Sequence, residues 1–265
     1  MTDFLGTASP LSQPGLLTAL DILNVGAAEM WAVLSVETSG FGFLPDRRPL
    51  ILFERHIFHK QTGGRFDATN PGVSSPAAGG YLGGAREYDR LAQAVALDRH
   101  AALNSASWGI GQVMGFNSQP AGFDTVEAMV DAMVQAEDAQ LAGMANFVRT
   151  EGLHRPLGTH DWAAFARGYN GPDFSKNQYD ARLASFFLKF SQGPLPDIQV
   201  RQVQALLTFL GIDPGGIDGI AGKRTRSAVA LFRQQNGMGE SDAIDDSLIA
   251  ILRAKLGGAA SAART

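Results

Sequence analysis

The chain has 265 residues, no cysteine, 45% hydrophobic and 18% charged residues, and a formal net charge of −4. That composition excludes wholesale disorder, and the missing cysteines exclude disulfides and thiolate metal sites. The charge divides as 14 basic against 19 acidic residues up to position 190 and 8 against 7 beyond it, too mild an asymmetry to require a polyanionic partner.

The N-terminal "MTDFLGTASPLSQPG" lacks a basic start followed by an apolar core, so synthesis as a cytosolic protein is expected. No apolar run approaches the roughly 18 residues of a transmembrane helix. Residues 15–24 and 27–37 have helical apolar spacing, with Gly26 as a break between them. In the second, Met30, Trp31, Val33, Leu34 and Val36 form a broad apolar surface, which predicts a buried helix. "GFGFLPDRRP" then demands a turn. Residues 50–58 alternate as a strand would, with Leu50, Leu52, Glu54, His56 and Phe58 on one face.

Residues 61–84 are rich in Gly, Pro, Ser and Ala and read as a long functional loop. Helical patterns return at 86–103, 124–149, 160–168 and 175–191, with Asp124/Glu127 and Ser175/Gln178 as start signals. "SQGPLPD" (191–197) reads as a linker. Three short helical patterns follow at 198–211, 223–236 and 245–256, and the tail at 258–265 is expected to be disordered. The expected architecture is mainly α. A helical domain with a small β element spans 1–190, and a small three-helix bundle spans 198–257.

Two carboxylates stand out. Glu37 closes a buried helix, where desolvation and the negative end of the helix dipole both favour its protonated form. Such a group suits acid catalysis, but a water-exposed helix-end glutamate occupies the same position. Glu54 either opposes it as nucleophile, base or charge stabiliser, or pairs with Arg55, His56, Arg47 or Arg48 to hold the β element. Asp46, in the turn between them, is a further candidate. Glu54, His56 and His59 do not make a metal site: no His-Glu-x-x-His is present, and strand alternation puts His59 on the other face. No cofactor is expected. Gly-x-Ser-x-Gly is absent, and "GGYLGGAR" lacks the strand context of a nucleotide loop.

Three segments carry a resemblance. "VETSGFGF" resembles the Glu-Ser/Thr-x-Gly segment of lysozyme-like glycosidases and lytic transglycosylases. "SASWGIGQVMGFN" (105–117) resembles their Gly-x-x-Gln-Ile/Val motif, and "WAAFARGYNGP" (162–172) their Ala-x-x-Tyr-Asn motif. With "RPLILFERHIF" and "EYDRLAQAVALD", the match over 15–190 is closer to the N-acetylmuramidase family of phage and bacterial wall-lytic enzymes. The resemblance implies a lysozyme-like fold that hydrolyses the β-1,4 bond between N-acetylmuramic acid and N-acetylglucosamine, with Glu37 as general acid.

Gln112, Tyr169 and Asn170 read as cleft residues able to hydrogen-bond sugar substituents. Trp108 and Phe116 either offer stacking faces to a sugar or, as is commoner for such aromatics, are buried, and Asn117 belongs to the same group of candidate cleft residues. Tyr169-Asn170-Gly171 also fits a helix C-terminus with a left-handed cap.

Residues 200–238 resemble a three-helix peptidoglycan-binding domain through Asp218-Gly219, Gly222, Thr225, Ala228 and Phe232-Arg233-Gln234. Leu231, Phe232 and Val229 are expected in its core. The implied protein is an endolysin acting as a monomer on peptidoglycan, without nucleic acid or membrane insertion, and released by the family's holin route. A lytic transglycosylase leaving 1,6-anhydro-muramic ends is the rival enzyme. A non-catalytic wall-binding or virion structural protein is the rival of another class.

Overall fold

The structure, a computed structural model, describes residues 4–172 and 174–262. α1 (Gln13–Leu23) starts at Ser12, whose hydroxyl accepts the Gly15 N–H, and ends at Asn24 in the left-handed conformation. α2 (Ala27–Thr38) begins after Gly26, meets α1 at a bend of 103°, and buries Met30, Trp31, Val33, Leu34 and Val36. Its apolar residues surround the helix rather than striping it, so α2 runs through the core.

The β element is smaller than the alternation predicts. β1 covers Ile51–Phe53 alone and pairs antiparallel with β2 (Ala106–Trp108), which pairs with β3 (Val113–Met114). After Phe53 the chain turns into α3 (Arg55–Thr62). Phe58 and Thr62 are both buried, four residues apart, a helical spacing that starts in the run expected to be strand and ends in the expected loop. The long loop that follows is stapled down. Arg55 donates to the carbonyls of Ala77 and Ala78, and the buried Arg90 to those of Gly72 and Gly79.

Two expected helices are each split. α4 (Glu87–Leu97) yields to α5 (Arg99–Asn104) at Asp98, whose carboxylate caps the second helix at the Ala101 N–H. α6 (Val126–Met133) is capped by Thr125 rather than Asp124, and α7 (Glu137–Thr150) follows a break at Ala136. Ala136 is extended there because it pairs with Ser9 of the N-terminal lead. After α8 (His154–Gly158), α9 (Trp162–Asn170) starts on an Asp161 cap. α10 (Tyr179–Gln192) starts from Gln178 in the left-handed conformation, with no Ser175/Gln178 capping box. α2 packs along α10, and α1 along α7. No single described helix is long and apolar enough to cross a membrane.

The C-terminal unit contains α11 (Ile198–Phe209), α12 (Lys223–Gln235) and α13 (Asp246–Ala262). Val203, Leu207, Val229, Phe232, Leu248 and Leu252 form its own small core. Phe232 and Val229 lie there as expected, but Leu231 is exposed on the other side of α12. Arg233 is buried and ties α12 to Asp245 and to the Ala243 carbonyl, leaving Gln234 exposed. α13 continues to Ala262, so 258–262 of the expected disordered tail are helical, and 263–265 lie outside the described residues.

α11 faces two ways. Val203, Leu206 and Leu207 enter the small core, whereas Ile198 joins the core of the larger unit. Gln202 donates to the Leu11 carbonyl of the larger unit at 2.9 Å.

Candidate active site

Glu37 is the penultimate residue of α2 and is partly buried. The last residue of α9, Asn170, donates from Nδ2 to Glu37 Oε1 at 2.9 Å. Burial pushes the Glu37 pKa from 4.5 up to about 7, against smaller opposing effects of the Asn170 hydrogen bond and the Arg182 guanidinium. Arg182 itself is fixed on α10 by donating to the Val36 carbonyl at 3.0 Å. Asn170 Oδ1 is buried without a hydrogen-bond partner, so an acceptor stands ready next to Glu37.

The loop between β2 and β3 closes on this pair. Thr38 Oγ1 donates to the Ile110 carbonyl at 3.0 Å, and the Tyr169 phenol donates to the Gly111 carbonyl. Burial and the nearby Glu37 charge raise the Tyr169 pKa well above 10, so it remains a neutral donor. Gly111 must be glycine here, because a Cβ would sit 2.6 Å from the Met144 side chain. Tyr169 and Asn170 also end α9, and Gly171 caps it at φ 83° and ψ −178°, which is not the left-handed cap expected.

Gln112 lies in this loop, but its amide is engaged by the protein. Nε2 donates to the carbonyls of Leu50 and Gly109, and Oε1 accepts from Ser107. Gln112 thereby locks the loop against β1 and is held at φ 49°, a backbone geometry that non-glycine residues adopt rarely. Trp108 corrects an expectation. It is 0% exposed and donates from its indole to the Leu103 carbonyl, so it presents no face to a sugar. Asn117 ends a short 3₁₀ turn (Gly115–Asn117) that packs on α5, α6 and β2; neighbouring Phe116 is exposed.

Glu54 is not brought into contact with Glu37. It precedes α3 and accepts both of its close contacts locally: the Tyr81 phenol donates to its two oxygens at 3.0 and 2.9 Å, and His56 Nδ1 lies 3.1 Å away. Burial and the Glu54 carboxylate push the Tyr81 pKa up to about 12. The Glu54 backbone lies four residues beyond Leu50, the Gln112 partner, which is roughly 13 Å along an extended strand. Asp46 closes on Arg48 at 2.6 Å in an exposed turn. His59 pairs with Asp67 at 2.7 Å, and among the described residues no three His, Asp or Glu side chains converge as a metal site would require.

Tyr81 and Arg182 are the members that sequence reasoning passed over. Tyr81 is the sole aromatic residue between Phe66 and Tyr88, inside a Gly- and Pro-rich loop, which is a signal that could have marked it. Arg182 carries no local signal. An open cleft of about 450 Å³ lies beside the end of α2, with Thr38, Ser39 and Phe41 on one wall and Thr208, Ile212 and Ile217 of the C-terminal unit on the other.

Comparison with known families matches residues 26–191 to a family described as N-acetylmuramidase, and residues 197–252 to one described as a peptidoglycan binding domain. Among solved structures, the crystal structure of Burkholderia AP3 phage endolysin is 40% identical, with a TM-score of 0.64. The match covers 69% of this chain and 72% of that one. Curated protein sequences include no match.

Proposed function

The chain belongs to the N-acetylmuramidase family, an endolysin-like, lysozyme-like glycoside hydrolase with a peptidoglycan-binding domain, and from that premise we propose a bond, an acid and an anchor. The bond is the β-1,4 linkage from N-acetylmuramic acid to N-acetylglucosamine in peptidoglycan. Glu37 donates its proton to the glycosidic oxygen as the C1–O bond breaks and the bonding electron pair leaves with that oxygen. Glu54 faces the positive charge that develops at C1, or directs the water that adds there. Asn170 offers an acceptor to a substrate N–H or O–H, while Gln112 and Tyr169 hold the loop that lines the acid.

The observation that carries this reading is the partly buried Glu37 carboxyl at the end of α2, held by Asn170, where burial pushes its pKa up to about 7. An acid catalyst must be protonated, so activity is expected to fall as pH rises through about 7. A kcat profile on purified sacculi tests it: flat activity from pH 5 to 9 would remove Glu37 from the role.

Glu54→Gln is expected to lower kcat about a hundredfold with the chain folded. Tyr81→Phe, which leaves the carboxylate in place, should cost less than tenfold. Wild-type turnover in Glu54→Gln would reduce Glu54 to a partner of Tyr81 and His56. The C-terminal unit holds the enzyme on the insoluble polymer and so raises the local concentration of the catalytic unit. Release through a holin pore, and action as a monomer, belong to the same proposal.

A further inference from the structure

The C-terminal unit does more than adjoin the catalytic one, since a charged side chain of α11 is inserted beneath the acid's helix. Arg201 is 1% exposed and Glu137, at the start of α7, 0%. Arg201 Nη1 and Nη2 meet the two carboxylate oxygens of Glu137 at 2.7 and 2.8 Å, the bidentate geometry that best satisfies both groups. Arg201 Nε donates to the Gly40 carbonyl at 3.0 Å, with Nη2 on the same oxygen. The guanidinium also lies over the rings of Trp31 and Phe41, 5.8 and 5.3 Å from their centroids.

Glu137 completes a ring of bonds around one turn. It accepts from the Gly42 N–H and the Leu11 N–H, each at 2.8 Å. The Gly40 carbonyl and the Gly42 N–H are thus held by the two halves of one buried ion pair. They belong to the segment that leaves α2 directly after Glu37 and Thr38: Ser39 is left-handed, the Gly40 N–H returns to the Leu34 carbonyl, and the Gly42 carbonyl accepts from Leu50, just before β1. Gly42 has no room to relax, because a Cβ there would fall 2.7 Å from the Ile110 backbone nitrogen. Ile110 is in turn the carbonyl partner of Thr38.

We infer that Arg201, supplied by the peptidoglycan-binding unit, is a positioning residue for Glu37: it locks the turn that ends the acid's helix, so the catalytic centre is complete only when the two units are docked. This rests on Glu37 being the acid. Without Arg201 the buried Glu137 carboxylate loses its counter-charge and the Gly40 carbonyl its donors. The turn loosens, water reaches the end of α2, and Glu37 moves relative to Asn170. The charged and titratable groups facing Glu37 are Arg182 and Tyr179 from α10 and Tyr169 from α9, and all three are untouched by the substitution. A shift in the acid's titration would therefore report hydration and placement of Glu37 itself.

The test uses the full chain with Arg201→Met and Arg201→Lys, on soluble uncrosslinked glycan strands so that wall anchoring does not enter the rate. Rates are normalised to the folded fraction from circular dichroism. Arg201→Met is expected to lower kcat about tenfold or more with KM changed less than twofold, and to move the alkaline limb to lower pH. Arg201→Lys keeps the charge and loses the bidentate fork, so it should show the same signature at smaller amplitude; it carries the test if the Met variant does not fold. Wild-type kcat per folded molecule together with an unmoved alkaline limb would overturn the inference, since a purely structural role changes only the folded fraction. Glu37→Gln is measured alongside. Activity in that variant defeats the assignment of the acid, whereas an inactive Glu37→Gln beside wild-type-like Arg201 variants defeats the positioning role alone.

Discussion

Glu37→Gln is expected to abolish lysis, with turnover down about a thousandfold or more, while folding and wall binding persist. Gln keeps the length of the side chain and an oxygen to accept the Asn170 Nδ2 hydrogen bond seen at 2.9 Å, but it has no proton to give. The same variant has a stability signature whose sign is set by burial. The folded pKa is raised from 4.5 to about 7, so the native chain holds this proton more tightly than the unfolded one. Stability is unaffected below the ordinary value, falls as pH rises through that window, and stays lowered above it by roughly 3 kcal/mol. Glu37→Gln lacks this slope and should melt above the wild type at pH 8 but not at pH 4. A thermal melt at the two pH values checks it: equal shifts at both would mean the carboxyl is hydrated like any surface glutamate.

The second large effect concerns the loop that brings Tyr81 to Glu54. Glu87 is fully buried; its oxygens accept from the N–H groups of Leu82, Gly83 and Phe53 and from Arg90 at 2.9 Å. Arg90 also donates to the Phe53 carbonyl at 2.7 Å and holds the loop through Gly72 and Gly79. Burial opposes the Glu87 charge, yet the Gly83 and Leu82 N–H groups and Arg90 keep its carboxyl below the usual range. That contribution is present at neutral pH and lost on strong acidification. Arg90→Leu leaves an uncompensated buried carboxylate and should cost about 3–5 kcal/mol in urea unfolding. Arg226→Leu breaks an exposed pair with Asp242 and should cost less than about 1 kcal/mol. A loss of that small size for Arg90→Leu would mean the loop is held by something other than this pair.

The helices were legible where one local signal sufficed. Gly26 separates α1 from α2, and the apolar surface of Met30 to Val36 does enter the core. One misreading traces to a partner distant in sequence, the other to a local spacing that the alternation masks. Ala136 breaks the helix expected over 124–149 because it pairs with Ser9, and the alternation of 50–58 stops at Phe53 because Phe58 and Thr62 are buried at helical spacing. Of the candidate site, Glu37, Tyr169 and Asn170 are legible as motifs and do converge with the loop of Gln112. Trp108 was not, because an aromatic next to a cleft motif looks the same from sequence whether it faces sugar or core. Nothing local marks Arg201, whose partners Gly40 and Glu137 lie 161 and 64 residues away.

The most direct measurement is mass spectrometry of the soluble fragments released from purified sacculi by the wild-type chain. Hydrolysis by a Glu37 acid should leave reducing N-acetylmuramic acid ends carrying the mass of one added water. Fragments ending in 1,6-anhydro-muramic acid, or in reducing N-acetylglucosamine, would contradict it.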